Sequence, residues 1–136
     1  MGKLLKFALL MLLAGCALQP EPPELILVAG ASGRAGHFVV QRLRADEVAF
    51  RPLTRSREEA IERLGPAFAD LDWVECDVRD PAQVAAAMRG VTQVISVIGA
   101  NQVGGPNSAE FADYGGVKNL VDPAVAEKVG PFVLLP

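Results

Sequence analysis

The chain has 136 residues, of which 51% are hydrophobic, 21% charged and 6% aromatic. That is the length and composition of one globular domain, with no room for a separate substrate domain and too much apolar content for disorder over most of its length. The formal net charge of -3 and the scattered arginines lack the basic footprint of a nucleic-acid binder.

At the N-terminus, Lys3 and Lys6 precede an apolar stretch from Phe7 to Leu13 and then small residues. This is the layout of a secretory signal, too short to span a membrane. Leu13-Ala14-Gly15-Cys16 resembles the lipobox of bacterial lipoproteins, in which the cysteine thiol takes a lipid and the chain is cleaved just before it. The expectation is therefore a signal peptide over 1–15, a lipidated Cys16 opening a stiff Pro-rich tether over 16–24, and a folded domain over 25–136. Export and anchoring to a bacterial membrane follow from that reading. The alternative is an ordinary signal, or a cytoplasmic protein whose start is misassigned. Cleavage would leave 11 basic and 16 acidic residues, a net charge of -5. Cys76 would be the one thiol besides the lipidated one, so no internal disulfide could form.

From Leu25 onward, short apolar runs alternate with amphipathic stretches, the pattern of β-α-β units around a parallel sheet. Leu25 to Ala29 is uniformly apolar, as in a strand buried on both faces. After a glycine-rich turn, Arg34 to Arg44 reads as a helix with Phe38, Val39, Val40 and Leu43 on one side. Val48 to Thr54 is the second strand, weakened by Pro52, which lacks a ladder donor. Ser56 and Glu59 have capping-box spacing and Gly65 supplies a stop, so Ser56 to Leu64 is a helix. Asp72 to Val78 is the third strand. Asp80-Pro81 opens a helix that runs to Gly90. Val91 to Ile98 is the fourth strand, followed by a glycine-rich loop from Gly99 to Asn107. Ala109 to Lys128 reads as a helix disturbed by Gly115, Gly116 and Pro123, the proline costing about 3 kcal/mol in a helix interior. Phe132 to Leu135 starts a fifth strand. The fold class is a doubly wound α/β Rossmann sheet of order 3-2-1-4-5, incomplete after strand five. An apolar strand-five edge would then call for a protein partner.

Gly30-Ala31-Ser32-Gly33-Arg34-Ala35-Gly36 lies between a strand and a helix, the context that gives a glycine pattern meaning. Gly30 permits the tight turn, Gly33 lets backbone approach a pyrophosphate, and Gly36 lets the helix pack close to the sheet. The helix N-terminus then offers free N–H groups and a positive dipole end to the diphosphate of a dinucleotide.

This turn resembles the G-x-x-G-x-x-G turn of atypical and extended short-chain dehydrogenase/reductases, especially the NmrA-like group. The resemblance runs from about Leu25 to the last residue. It is carried further by Leu53-Thr54-Arg55, Cys76-Asp77-Val78, Ile98-Gly99-Ala100 and Tyr114-Gly115-Gly116-Val117-Lys118-Asn119-Leu120-Val121-Asp122. It implies a cofactor lying along Gly30, Ser32, Gly33, Arg34, Ala35, Gly36, Arg55, Asp77, Val78 and Gly99. In the family, the carboxylate corresponding to Asp77 accepts the exocyclic amine of adenine, and the aliphatic side chain corresponding to Val78 packs on the ring.

NAD-selective sites place an acidic residue about 20 positions beyond the glycine motif, on the ribose 2′-hydroxyl. Here Thr54-Arg55-Ser56-Arg57 has no carboxylate. Arg55 can offer a planar fork of donors to a 2′-phosphate and Arg34 approaches the same end, so NADP is expected over NAD. Cys76 reads as a buried inert thiol. His37, the sole histidine, has no metal or triad partner and reads as a surface residue, so no metal site is expected.

Tyr114 and Lys118 have the Tyr-x-x-x-Lys spacing with which the family transfers protons, but they precede the fifth strand, whereas the family's pair follows it. No catalytic residue is therefore expected in this chain. Three functions compete: a lipid-anchored NADP-binding module, the cofactor-binding portion of an NADP-dependent oxidoreductase, and a membrane-associated assembly or redox-sensing scaffold. Exported compartments hold little NADP, so the signal segment and the cofactor pull against each other.

Overall fold

A computed structural model of the chain describes residues 21, 23–99 and 114–135. The expected signal segment, Cys16, most of the expected tether, and the residues expected to form a loop beyond Gly99 lie outside the described residues. Among the described residues, five strands and four helices alternate: β1 (Ile26–Ala29), α1 (Gly36–Ala45), β2 (Phe50–Thr54), α2 (Arg57–Leu64), β3 (Val74–Glu75), α3 (Pro81–Ala87), β4 (Gln93–Ser96), α4 (Gly116–Ala126) and β5 (Phe132–Leu134). A short 3-10 turn, Pro66–Phe68, follows α2. All pairings are parallel, in the order β3-β2-β1-β4-β5. The Rossmann order read from the sequence is the observed one.

The uniform apolarity of β1 follows from its central place, because successive side chains enter opposite layers. Ile26 and Val28 pack with Val40, Ala60, Phe68 and Trp73 on the α1/α2 side. Leu27 and Ala29 pack with Val84, Met88, Leu120 and Ala124 on the α3/α4 side. Each layer of helices therefore leans on the same four-residue strand, which holds the C-terminal ends of the strands in fixed relation.

Caps set the helix boundaries. The Ser56 Oγ accepts the Glu59 N–H at 3.2 Å, and Gly65 ends α2 with φ 95°. Asp80 accepts the N–H groups of Ala82 and Gln83 at 2.9 and 3.3 Å, with Pro81 at the first helical position. Arg51, on β2, donates to the carbonyl oxygens of Ala87 and Arg89 and so ties the strand to the end of α3.

Several details depart from the sequence expectations. Helix α1 begins at Gly36, and Phe38 is 64% exposed rather than on the inner side with Val40. At 100° per residue, Phe38 stands 200° from both Gly36 and Val40, the two buried positions, and so faces outward against the His37 ring. Strand β3 has two residues where seven were expected. The chain turns away at Asp77, whose backbone N–H bonds the Gln83 side chain at 2.9 Å and whose carbonyl accepts from Asp80. Strand β4 is also shorter, because the Val91 N–H closes a turn on Met88 and the Thr92 hydroxyl bonds the backbone of Leu25.

Pro52 sits inside β2, opposite Val28. The bond from Ile26 N–H to the Ala49 carbonyl sets the alternation that turns position 52 toward β3. Strand β3 begins only at Val74, opposite Leu53, so the missing donor falls where no ladder has started. Pro123 does not break its helix: α4 runs unbroken from Gly116 to Ala126, anchored on either side of the proline by buried Leu120 and Ala124. Val133, Leu134 and Leu135 at the β5 edge are exposed.

Candidate functional site

The C-terminal ends of β1 to β4 open onto one cleft of about 200 Å³, the position at which ligands bind in such sheets. The turn after β1 forms its floor with Gly30, Ser32 and Gly33, β2 adds Leu53, Thr54 and Arg55, and the segment after β4 adds Val97, Ile98 and Gly99. After β3 come Cys76, Asp77, Val78 and Arg79, and α2 contributes Arg63.

The glycines of the turn divide between ligand space and packing. Gly30 has φ +80°, and a Cβ there would meet the Val97 carbonyl oxygen at 2.9 Å, so the turn presses against the start of the segment after β4. A Cβ on Gly33 would stand 3.1 Å from the Gly30 carbonyl oxygen, on the floor of the cleft. Gly36 is buried beneath the turn and does not line the cleft; it permits contact between helix and turn. Ala35, the α1 N-cap, offers no side-chain acceptor. The His37 and Phe38 N–H groups already bond the Gly33 and Ala35 carbonyls, both at 3.2 Å, so the turn offers an anion the positive end of the helix rather than a row of free first-turn donors. These features fit the diphosphate of a dinucleotide.

Thr54 joins the turn to the end of β2. Its buried hydroxyl donates to the Ser56 carbonyl at 3.0 Å and lies 3.3 Å from Ser32 Oγ. Asp77 is gripped by Arg79, whose Nε lies 2.9 and 3.1 Å from the two carboxylate oxygens and whose Nη2 lies 2.5 Å from the second. The side-chain bond from Arg79 holds the Asp77 carboxyl below its ordinary range, helped by the Arg79 backbone N–H and charge and by the charge of Arg55. Burial pushes the Cys76 thiol up to about 11, with the negative charges of Asp77 and Asp80 adding to it. Such a thiol is protonated and inert at neutral pH.

Of the expected cofactor residues, Gly30, Ser32, Gly33, Arg55, Asp77, Val78 and Gly99 meet in the cleft. Arg34 and Ala35 are exposed and do not line it. His37 Nδ1 lies 3.3 Å from the Gly33 carbonyl oxygen, bracing the turn from α1. Tyr114 is 71% exposed and Lys118 pairs with Asp122 on α4; neither lines the cleft. Among the described residues there is no cluster suited to a metal ion.

Sequence reasoning missed Arg79 and Arg63 as cleft residues. An arginine two positions after Asp77 was a usable local signal, because an Asp-x-Arg turn can close on itself. Arg63 gave no such signal, since a cation in the last turn of a helix is accounted for by the helix dipole alone.

A family model described as NAD(P)H-binding matches residues 30–135. Protein TIC 62, chloroplastic, from Pisum sativum is 32% identical over 82% of this chain and 24% of its own length. An epimerase family protein SDR39U1 homolog, chloroplastic, from Arabidopsis thaliana is 36% identical over 62% of this chain and 23% of its own. The chain thus spans about a quarter of the length of these curated relatives. Among solved structures, a short-chain dehydrogenase/reductase superfamily protein from Agrobacterium tumefaciens with bound NAD is 27% identical with a TM-score of 0.63, covering 82% of this chain and 32% of that one.

Proposed function

Since this chain belongs to the NAD(P)H-binding family of Rossmann domains, we propose that it is an NADP-preferring dinucleotide-binding module without catalytic residues of its own. One observation carries the preference: Arg55, and no carboxylate, stands in the cleft at the end of β2, where an acidic side chain would select the 2′-hydroxyl of NAD. Gly30, Ser32 and Gly33 would hold the diphosphate, Arg55 a 2′-phosphate, and Asp77 and Val78 the adenine. A bound dinucleotide would bring hydride chemistry at its nicotinamide, and the residues named here would hold its diphosphate, 2′-phosphate and adenine.

A titration of the full chain with NADPH, followed by nicotinamide fluorescence, tests the site. Binding to the wild type that is lost in folded Gly33→Trp supports it, because the indole would fill the floor of the cleft. Equal binding by both proteins would overturn it.

A second reading draws on the likeness to the solved dehydrogenase/reductase, about a third of whose length the chain covers. In that reading the chain is the cofactor-binding portion of an NADP-dependent oxidoreductase, and hydride transfer needs residues from elsewhere.

The lipobox reading of Cys16 adds membrane anchoring after export. Labelled palmitate incorporated by bacterial cells expressing the chain, and lost in Cys16→Ala, supports that part; equal labelling would remove it. The exposed apolar β5 edge is the surface a protein partner would cover in the scaffold reading.

A further inference from the structure

Strand β3 ends at Glu75, and one further bond, from the Cys76 N–H to the Thr54 carbonyl at 2.8 Å, continues its pairing with β2. Asp77 and Val78, which line the cleft, follow beyond that ladder and are held by other contacts. Gln83 accepts the Asp77 N–H, and the Asp77 carbonyl accepts from Asp80. Both partners lie within six residues and travel with the turn. The Val78 carbonyl instead accepts from the side-chain amide of Asn119, on α4, at 3.0 Å and 41 positions away. Asn119 sits between buried Gly116 and buried Leu120, at the margin of the face that α4 packs into the core.

Asparagine is a poorer helix former than alanine or leucine, because its amide competes for backbone partners. At position 119 that amide satisfies a backbone carbonyl beyond the end of the β3 ladder. The Asp77 carboxylate is fixed to the same turn, since it accepts the Arg79 backbone N–H at 3.0 Å as well as the Arg79 guanidinium. A shift of the turn relative to the sheet therefore carries the carboxylate with it. The Val78 side chain packs against the core cluster that includes Leu120, so this residue is held from the α4 side by both backbone and side chain. We propose that Asn119 is a positioning residue, which holds the Val78 carbonyl from α4 and so sets the Asp77 carboxylate within reach of the exocyclic amine of a bound adenine. The inference rests on the reading above that Asp77 and Val78 hold the adenine, and adds a residue of α4 that does not itself line the cleft.

The test is calorimetric titration of the full chain with NADPH and with its analogue carrying hypoxanthine in place of adenine, which has an oxygen where the exocyclic amine stands. The wild type is compared with Asn119→Leu, which keeps the volume and removes the donor, and with Asn119→Asp, which keeps the shape; thermal melting establishes folding. A hydrogen bond to a carboxylate predicts that the wild type prefers NADPH to the hypoxanthine analogue by about tenfold. In the variants that preference is expected to fall to within about threefold, with the loss mainly in NADPH affinity. An undiminished preference in a folded variant, with both affinities unchanged or lowered by one common factor, would overturn the positioning role and leave the adenine reading standing. A wild type that binds the two ligands equally, or binds neither, would overturn the adenine reading itself, and the positioning role with it.

Discussion

A Cβ placed on Gly36 would stand 2.0 Å from the carbonyl oxygen of Gly30 and 2.8 Å from the Cα of Ala31. The first turn of α1 therefore lies directly on the backbone of the glycine turn after β1. Since both atoms in the way are backbone, no rotamer change relieves the clash. Gly36→Ala is expected to destabilise the fold by about 3 kcal/mol, read as a shift in urea midpoint. Gly99 has nothing within 4 Å of its Cβ position, and Gly99→Ala should stay within about 0.5 kcal/mol of wild type.

Arg51 supplies the bridge from β2 to the end of α3, donating to the carbonyls of Ala87 and Arg89. Those carbonyls are at the negative end of the helix, where a cation is favoured. Arg51→Ala should cost about 1 to 2 kcal/mol in chemical denaturation. Arg42→Ala, which removes an exposed ion pair with Asp46, should cost less than about 0.5 kcal/mol.

The grip of Arg79 on Asp77 gives an acid dependence of defined sign. The folded-state pKa of Asp77 lies below the ordinary aspartate value of 3.8, so the native state holds its carboxylate more strongly than the unfolded chain does. The resulting stability is present above the unfolded pKa and is lost as pH falls through the folded one. Asp77→Asn is therefore expected to flatten the fall in stability below about pH 4. An unchanged acid limb in that variant would show that the pair contributes nothing to it.

Cys76 carries the opposite sign. Its folded pKa of about 11 lies above the ordinary thiol value of 9.0, so its contribution is complete below pH 9 and lost as pH rises toward 11. At pH 8 the Cys76 peptide should take up iodoacetamide far more slowly in the native protein than after unfolding, as read by mass spectrometry. Similar rates in the two states would contradict its burial.

The parallel order, the caps of α2 and α3 and the glycine turn were legible because local chemistry dictates them. Ser56, Asp80-Pro81 and Gly30 each act within a few residues of themselves. What escaped the sequence depends on side-chain contacts and packing that no residue's own propensity contains. The length of β3 is set by a bond from Asp77 to the Gln83 side chain across the next turn. Phe38 is apolar and sits among apolar neighbours in sequence, but only the angle fixed by Gly36 and Val40 decides that it faces outward. Pro123 is tolerated because Leu120 and Ala124 are already held in the core, an effect of packing that helix propensity does not contain. Arg63 enters the cleft only through the tertiary placement of α2.

Calorimetric titration of the full chain with NADPH and NADH at one ionic strength, in wild type and Arg55→Ala, asks whether the cleft takes a dinucleotide and favours the 2′-phosphorylated form. NADPH is expected to bind at least about tenfold tighter than NADH in the wild type, with the ratio collapsing in the variant while NADH affinity changes little. Equal or tighter binding of NADH by the wild type, or no heat from either ligand with a folded sample, would contradict it.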